Sequence, residues 1–184
     1  MKLYKKLLYL LFFSSTLTSC YIDMGEEEDD VVVDQWGGDY SEYEPIYMTR
    51  TELESSVKKM GPQEIIQPGK LYIFGDYIFL NEKYKGIHII NNTDPINPQR
   101  TGFLKIPGNV DIAVKGNVIY ADNAVDMVSV SLNIDGSIAE INRVRNIFPG
   151  LTPPDLDYVP YNYDRSQSKE PEYIVAWASN NPAS

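Results

Sequence analysis

Short runs of apolar residues, broken by glycine, proline, asparagine and aspartate, dominate the middle of this chain. The clearest stretch is Leu71 to Pro98, LYIFGDYIFLNEKYKGIHIINNTDPINP. Tyr77-Ile78-Phe79-Leu80 is an aromatic and β-branched run bounded by Gly75-Asp76 and Asn81-Glu82. Its composition and length predict a strand rather than a helix. In Ile87-His88-Ile89-Ile90, alternation puts Ile87 and Ile89 on one face of a second strand and His88 on the other. Asn92-Thr93-Asp94-Pro95 predicts a turn, because Asp accepts local backbone hydrogen bonds and Pro presets φ.

A diverged copy follows directly. Lys115-Gly116-Asn117 repeats the Gly75-Asp76 turn 41 positions later. Val118-Ile119-Tyr120-Ala121-Asp122 then matches Tyr77 to Asn81, and Val128 and Val130 fall at the positions of Ile87 and Ile89. Ile106-Pro107-Gly108 and Phe148-Pro149-Gly150 close the two copies alike. A period near 40 residues built of short strands points to propeller-type blades, so the expected repeats are about 70–108 and 109–150. Two blades cannot close a ring of four to eight, so the sheets either pack face to face or leave an edge for the chain or a partner to cover.

The string GDYIFL…GIHIINNTDPINP resembles the LVIVD repeat, a β-propeller-type repeat of bacterial surface proteins. The match is good from Gly75 to Pro98; the second copy keeps the strands but lacks the Asp-Pro-x-x-Pro turn. Over Tyr43 to Trp177 the chain is similar to surface lipoproteins of the Bacteroidetes type. The resemblance implies a propeller-like fold and a surface location, and it implies no catalytic residues.

Ahead of the repeats, Lys2, Lys5 and Lys6 precede an unbroken apolar run, Leu7 to Phe13. That run is short for a membrane span and reads as the core of a signal peptide, residues 1–19. Leu17-Thr18-Ser19-Cys20 resembles a bacterial lipobox, which implies acylation of Cys20 and anchoring in the outer membrane, facing the cell exterior. Several acyl chains suffice for this, at about 0.8 kcal/mol per buried CH₂. Cys20 is the only cysteine, so an intramolecular disulfide is impossible. Glu26 to Asp30 is a run of acids suited to an extended tether; it also resembles the export signal of such lipoproteins. The whole chain carries −10, and removing residues 1–19 with their three lysines takes it to −13, which argues against nucleic acid as a partner.

Residues 20–48 have no clear period and read as a disordered, acidic and Tyr-rich tether. Capping-box patterns at Thr49-x-x-Glu52 and Thr51-x-x-Glu54, followed by Leu53, Val57 and Met60, predict one short helix over about 51–59, stopped by Gly61-Pro62. After Gly150 the prolines at 153, 154 and 160 forbid continuous ladders and predict an extended segment, with a last strand at Tyr173 to Trp177 and a polar tail over 179–184. The β-repeat domain is therefore expected over 49–178, and the fold class is all-β: two antiparallel propeller-type blades, one short N-terminal helix and an extended Pro-rich C-terminal segment.

Candidate chemistry is sparse. His88 is the only histidine and alternates away from the core, which gives it a structural or solvent-facing role. Without a second His, and with Cys20 acylated, no Cys–His pair, Ser–His–Asp triad or His-based metal site can be assembled in one chain. Asp122 to Asp126 and Asp135-Gly136 offer oxygen ligands on turns, but without EF-hand spacing, and such residues are ordinary in turns. Asn91-Asn92-Thr93 fits a glycosylation sequon yet is more simply turn. Gly37-Gly38 has no strand before it and no helix after it, so it forms no phosphate loop. Tyrosines in irregular segments, such as Tyr158, Tyr161 and Tyr163, suit packing or a protein or carbohydrate contact surface. No catalytic residue, metal or cofactor is expected. The reading is a lipid-anchored, non-enzymatic binding or scaffold module. The alternatives are a glycan-processing enzyme using paired carboxylates and an accessory subunit of a larger surface complex.

Overall fold

The computed structural model describes residues 40–133 and 138–181. Eleven strands form three antiparallel sheets among these residues. Strands β3 (Pro68–Phe74), β4 (Tyr77–Glu82), β5 (Gly86–Asn91) and β6 (Gln99–Lys105) make a meander, to which β2 (Lys58–Met60) adds along β6; this five-stranded sheet, sheet I, runs β2-β6-β5-β4-β3. Strands β7 (Ile112–Lys115), β8 (Val118–Asn123), β9 (Asp126–Leu132) and β10 (Ile138–Val144) make a second meander, sheet II. β1 (Tyr43–Thr49) and β11 (Glu172–Ser179) form a separate two-stranded ribbon. The all-β reading holds, and among the described residues no sheet closes on itself.

Sheets I and II pack face to face. One apolar cluster joins Phe79, Ile87, Ile89 and Leu104 of sheet I to Ile112, Val114, Ile119, Ala121, Val128 and Val130 of sheet II. Alternation explains its membership, since cross-strand partners in an antiparallel pair point to the same side. Phe79 lies opposite Ile89 and Tyr72 in sheet I, and Ile119 lies opposite Val130 and Val114 in sheet II.

The two meanders bury opposite faces. Both begin with a two-residue turn whose glycine has positive φ, Gly75 at +57° and Gly116 at +61°, a region that costs a side chain strain. Matching these turns puts Ile73 and Ile78 where Val114 and Ile119 lie, and Leu71 and Leu80 where Ile112 and Ala121 lie. The sheet II residues are core; their counterparts in sheet I face away from it. The next turn is one residue shorter in the second copy, Ala124-Val125 against Lys83-Tyr84-Lys85. From there the true offset is 40, so Val130 corresponds to Ile90 rather than Ile89, and Val128 to His88. Ile89 and Val130 are both buried, as expected, but on opposite faces of their sheets. Sheet II therefore stacks its back on the front of sheet I.

Three expectations are corrected. The helix, α1, spans only Arg50–Glu54: Thr49 is its N-cap in a capping box with Glu52, and Ser55 and Ser56 end it by bonding the Thr51 and Leu53 carbonyls through their hydroxyls. Val57 then enters the core and Lys58–Met60 is strand β2. Second, residues 43–48, assigned by sequence to the tether over 20–48, belong to strand β1, which is paired along its length with β11. Third, His88 is fully buried, which overturns the solvent-facing half of its expected role and leaves the structural one.

Candidate functional site

Consecutive β-strand residues alternate sides, so the face of sheet II turned away from sheet I carries Ala113, Tyr120, Asp122 and Met127. The Pro-rich segment crosses in front of that face. The Ile147 and Phe148 N–H groups bond the Val125 carbonyl, and the Trp177 Nε1–H donates to the Leu151 carbonyl at 3.1 Å. The segment lies across the face as a wall rather than as a further strand: its prolines lack ladder donors, and β8 is already paired on both edges. Between wall and sheet lies a groove of about 730 Å³, floored by Tyr120, Ala121 and Met127, walled by Phe148 to Pro154, and bounded at one end by Lys83 and Tyr84. A concave, mostly apolar surface with a few polar groups is the usual form of a binding site.

The polar groups near the groove are committed to the fold. Asp122 Oδ1 accepts from Asn109 Nδ2 at 2.7 Å, Val110 N at 2.9 Å and Asp111 N at 2.8 Å, and Oδ2 accepts from Val110 N at 3.0 Å. Burial pushes the Asp122 carboxyl above its ordinary pKa, and these bonds oppose the shift without reversing it. Asp111 lies beside it and pairs with Lys70; the Lys70 hydrogen bond, against a smaller effect of burial, holds the Asp111 pKa low. Asn109 is the hub of the crossover between the sheets. Its carbonyl accepts from Tyr84 N, its Nδ2 reaches Asp122 and the Asp111 carbonyl, and its Oδ1 accepts from Asn81.

Asp126, the other carboxylate of the turn, serves a different junction. It is inaccessible and accepts from Arg50 at 2.6 Å, Arg143 at 2.7 Å and the Asn146 N–H at 3.0 Å. Burial would raise its pKa, but these bonds win and lower it. Asp122 and Asp126 thus do not converge on an open cavity, and no group of three or more acidic, His or Cys residues fit for a metal occurs among the described residues.

His88 pairs with Glu82, Nε2 to Oε2 at 3.1 Å, with its ring centroid 4.8 Å from that of Phe103. Glu82 also accepts from the Ile66 and Gln67 N–H groups, so it ties the end of the 61–67 segment to β4. Burial opposes ionisation of Glu82, and the Gln67, His88 and Ile66 donors overcome it and lower its pKa. In the sequon, the Asn91 side chain accepts from Thr93 N at 2.9 Å and Thr93 Oγ1 at 2.7 Å, a turn as expected. Cys20, Glu26 to Asp30, Gly37-Gly38 and Asp135-Gly136 lie outside the described residues. No helix among the described residues is long and apolar enough to cross a membrane.

Sequence reasoning did not single out Tyr120, Met127 or the Phe148 wall. The available signal was that Ala113, Tyr120 and Met127 alternate with the core positions of β7 to β9, but nothing local says that a distant segment crosses that face. No protein-family model matches the chain, and comparison with curated proteins and with solved structures finds no match.

Proposed function

We propose that this chain is a cell-surface binding module of propeller-type sheets, lipid-anchored through Cys20 in the outer membrane, with the groove on sheet II as its recognition element. The observation that carries the reading is the chemistry of that groove: an apolar floor and wall with its two carboxylates tied down. Glycan processing by paired carboxylates would require Asp111 and Asp122 to reach a substrate. The raised pKa of Asp122 suits an acid catalyst, but backbone and Asn109 donors occupy its oxygens, and Lys70 holds Asp111. The accessory-subunit reading draws on a different feature: β3 is an edge strand with Leu71, Ile73 and Phe74 exposed.

The groove reading is tested with dilute chain and the apolar dye bis-ANS. Wild type should enhance its fluorescence, and Tyr120→Arg should remove most of that enhancement while leaving the urea midpoint nearly unchanged. Equal enhancement by both proteins would refute the groove as recognition element.

A further inference from the structure

The internal interface of this molecule is the back of sheet II on the front of sheet I. One back and one front are left over. The unused back belongs to sheet I, and its positions are those that form the core in sheet II. Ile112, Val114, Ile119 and Ala121 are 8%, 6%, 1% and 3% exposed, whereas Leu71 and Ile73, the counterparts of the first two, are 55% and 61% exposed. Ile78, Leu80 and Ile90 continue the strip and are only partly covered. The 61–67 segment is tied to Glu82 and, through the Gln63 carbonyl, to Arg100, and it leaves the strip bare at Leu71 and Ile73. The unused front belongs to sheet II and carries the groove.

We propose that a second copy of this chain fills these vacancies, seating the Leu71–Ile73 strip of one copy in the sheet II groove of the other. This inference rests on the groove being a recognition site and names its partner. The contact repeats the intramolecular relation of back on front, so the surfaces belong to the same kind of junction. One is a strip of projecting apolar side chains and the other an apolar hollow. The strip residues are uncharged, which keeps the acidity of the chain off the contact, and the nearest cation, Lys70, is paired with Asp111. Such a contact is heterologous, and heterologous contacts form open filaments unless the rotation closes. Two copies contribute four meanders, the smallest number of blades in a propeller ring, and the proposed contact closes at two copies. Back-to-back packing of two strips would bury the apolar residues of sheet I but leave both grooves empty. Contiguous apolar residues left bare to water mark an interaction site or a liability.

The test uses the full chain in mild detergent. Light scattering should give the mass of a dimer after subtraction of detergent, and Ile73→Asp, at an exposed position, should give a monomer with the urea midpoint that wild type shows when diluted to monomer. Under oxidation, a mixture of Ile73→Cys and Ala113→Cys chains should form a mixed cross-link. Neither variant alone should form one, since the acylated Cys20 offers no free thiol. As concentration rises, bis-ANS enhancement per chain should fall for wild type and stay constant for Ile73→Asp. A monomer at every concentration, a cross-link from Ile73→Cys alone, or mass growing without limit would each overturn the closed two-copy ring. If the chain is monomeric while Tyr120→Arg still abolishes dye binding, the second copy is refuted and the groove stands. If dye binding is insensitive to Tyr120, both fail.

Discussion

At His88 the two copies differ most, because the equivalent position in sheet II is Val128, a core residue. The histidine is buried, one nitrogen meets Glu82, and its Nδ1 has no partner among the described residues. Burying a polar atom unsatisfied costs about 1–3 kcal/mol, so the site is held by what Glu82 gains rather than by packing alone. Alternation correctly sends His88 to the face opposite Ile87 and Ile89. It carries no information on whether that face is covered, because the covering segment begins more than 20 positions earlier, at residue 61. Ile89→Ala should cost about 2–5 kcal/mol through lost transfer energy and a residual cavity. His88→Ala should cost about 1–3 kcal/mol, since it removes a donor from the inaccessible Glu82 carboxylate. Urea unfolding of both variants ranks them. A His88→Ala midpoint equal to wild type would mean that the backbone donors of Ile66 and Gln67 hold Glu82 unaided.

At the scale of elements, α1 is too short to be stable by its own propensity. What fixes it is its cap and the Arg50–Asp126–Arg143 cluster, which ties the helix to β9 and β10. The sequence announces the helix start clearly, because Thr49 and Glu52 are a local pair. Its end is misread, because Val57 at helical spacing is a core residue reached from an extended backbone. Asp126 gives this junction an acid sensitivity of definite sign. Its folded pKa lies below the unfolded value of about 3.9, so its stabilisation is complete above that value and is lost as pH falls through the folded one. Asp126→Asn should lower stability at neutral pH and flatten the fall of the urea midpoint between about pH 5 and pH 2. A variant whose midpoint falls as steeply as wild type would assign the acid limb to other carboxylates.

For the whole molecule, strand content and the two meanders were legible, because alternation and Gly-x turns are local signals. Which faces meet was not. A single residue missing from the turn at Ala124-Val125 moves the alignment by one, and one residue exchanges the two sides of a strand. The groove was illegible for a related reason, as its wall and floor are joined only by the fold. The anchoring proposed through Cys20 belongs to this scale too. Cys20→Ser should move the protein from the membrane to the soluble fraction. Unchanged partitioning, measured by fractionation and immunoblot, would remove the lipoprotein reading while leaving the fold untouched.

The pairing of β1 with β11 also decides how the domain takes tension. Any pull on the chain ahead of residue 40 reaches Ser41 and Glu42 first, where Ser41 Oγ and the Glu42 N–H both grip Asp155 at 2.8 and 2.7 Å. Behind that grip comes a ladder from Tyr43–Ser179 to Thr49–Glu172. Only beyond Thr49 does the load meet the clamp at Asp126. The cluster of Phe79, Ile119 and Val130 lies past all of these, so such a pull loads the ribbon, with its own small core of Leu53, Ala124 and Val175, before it reaches the junction between the two meanders.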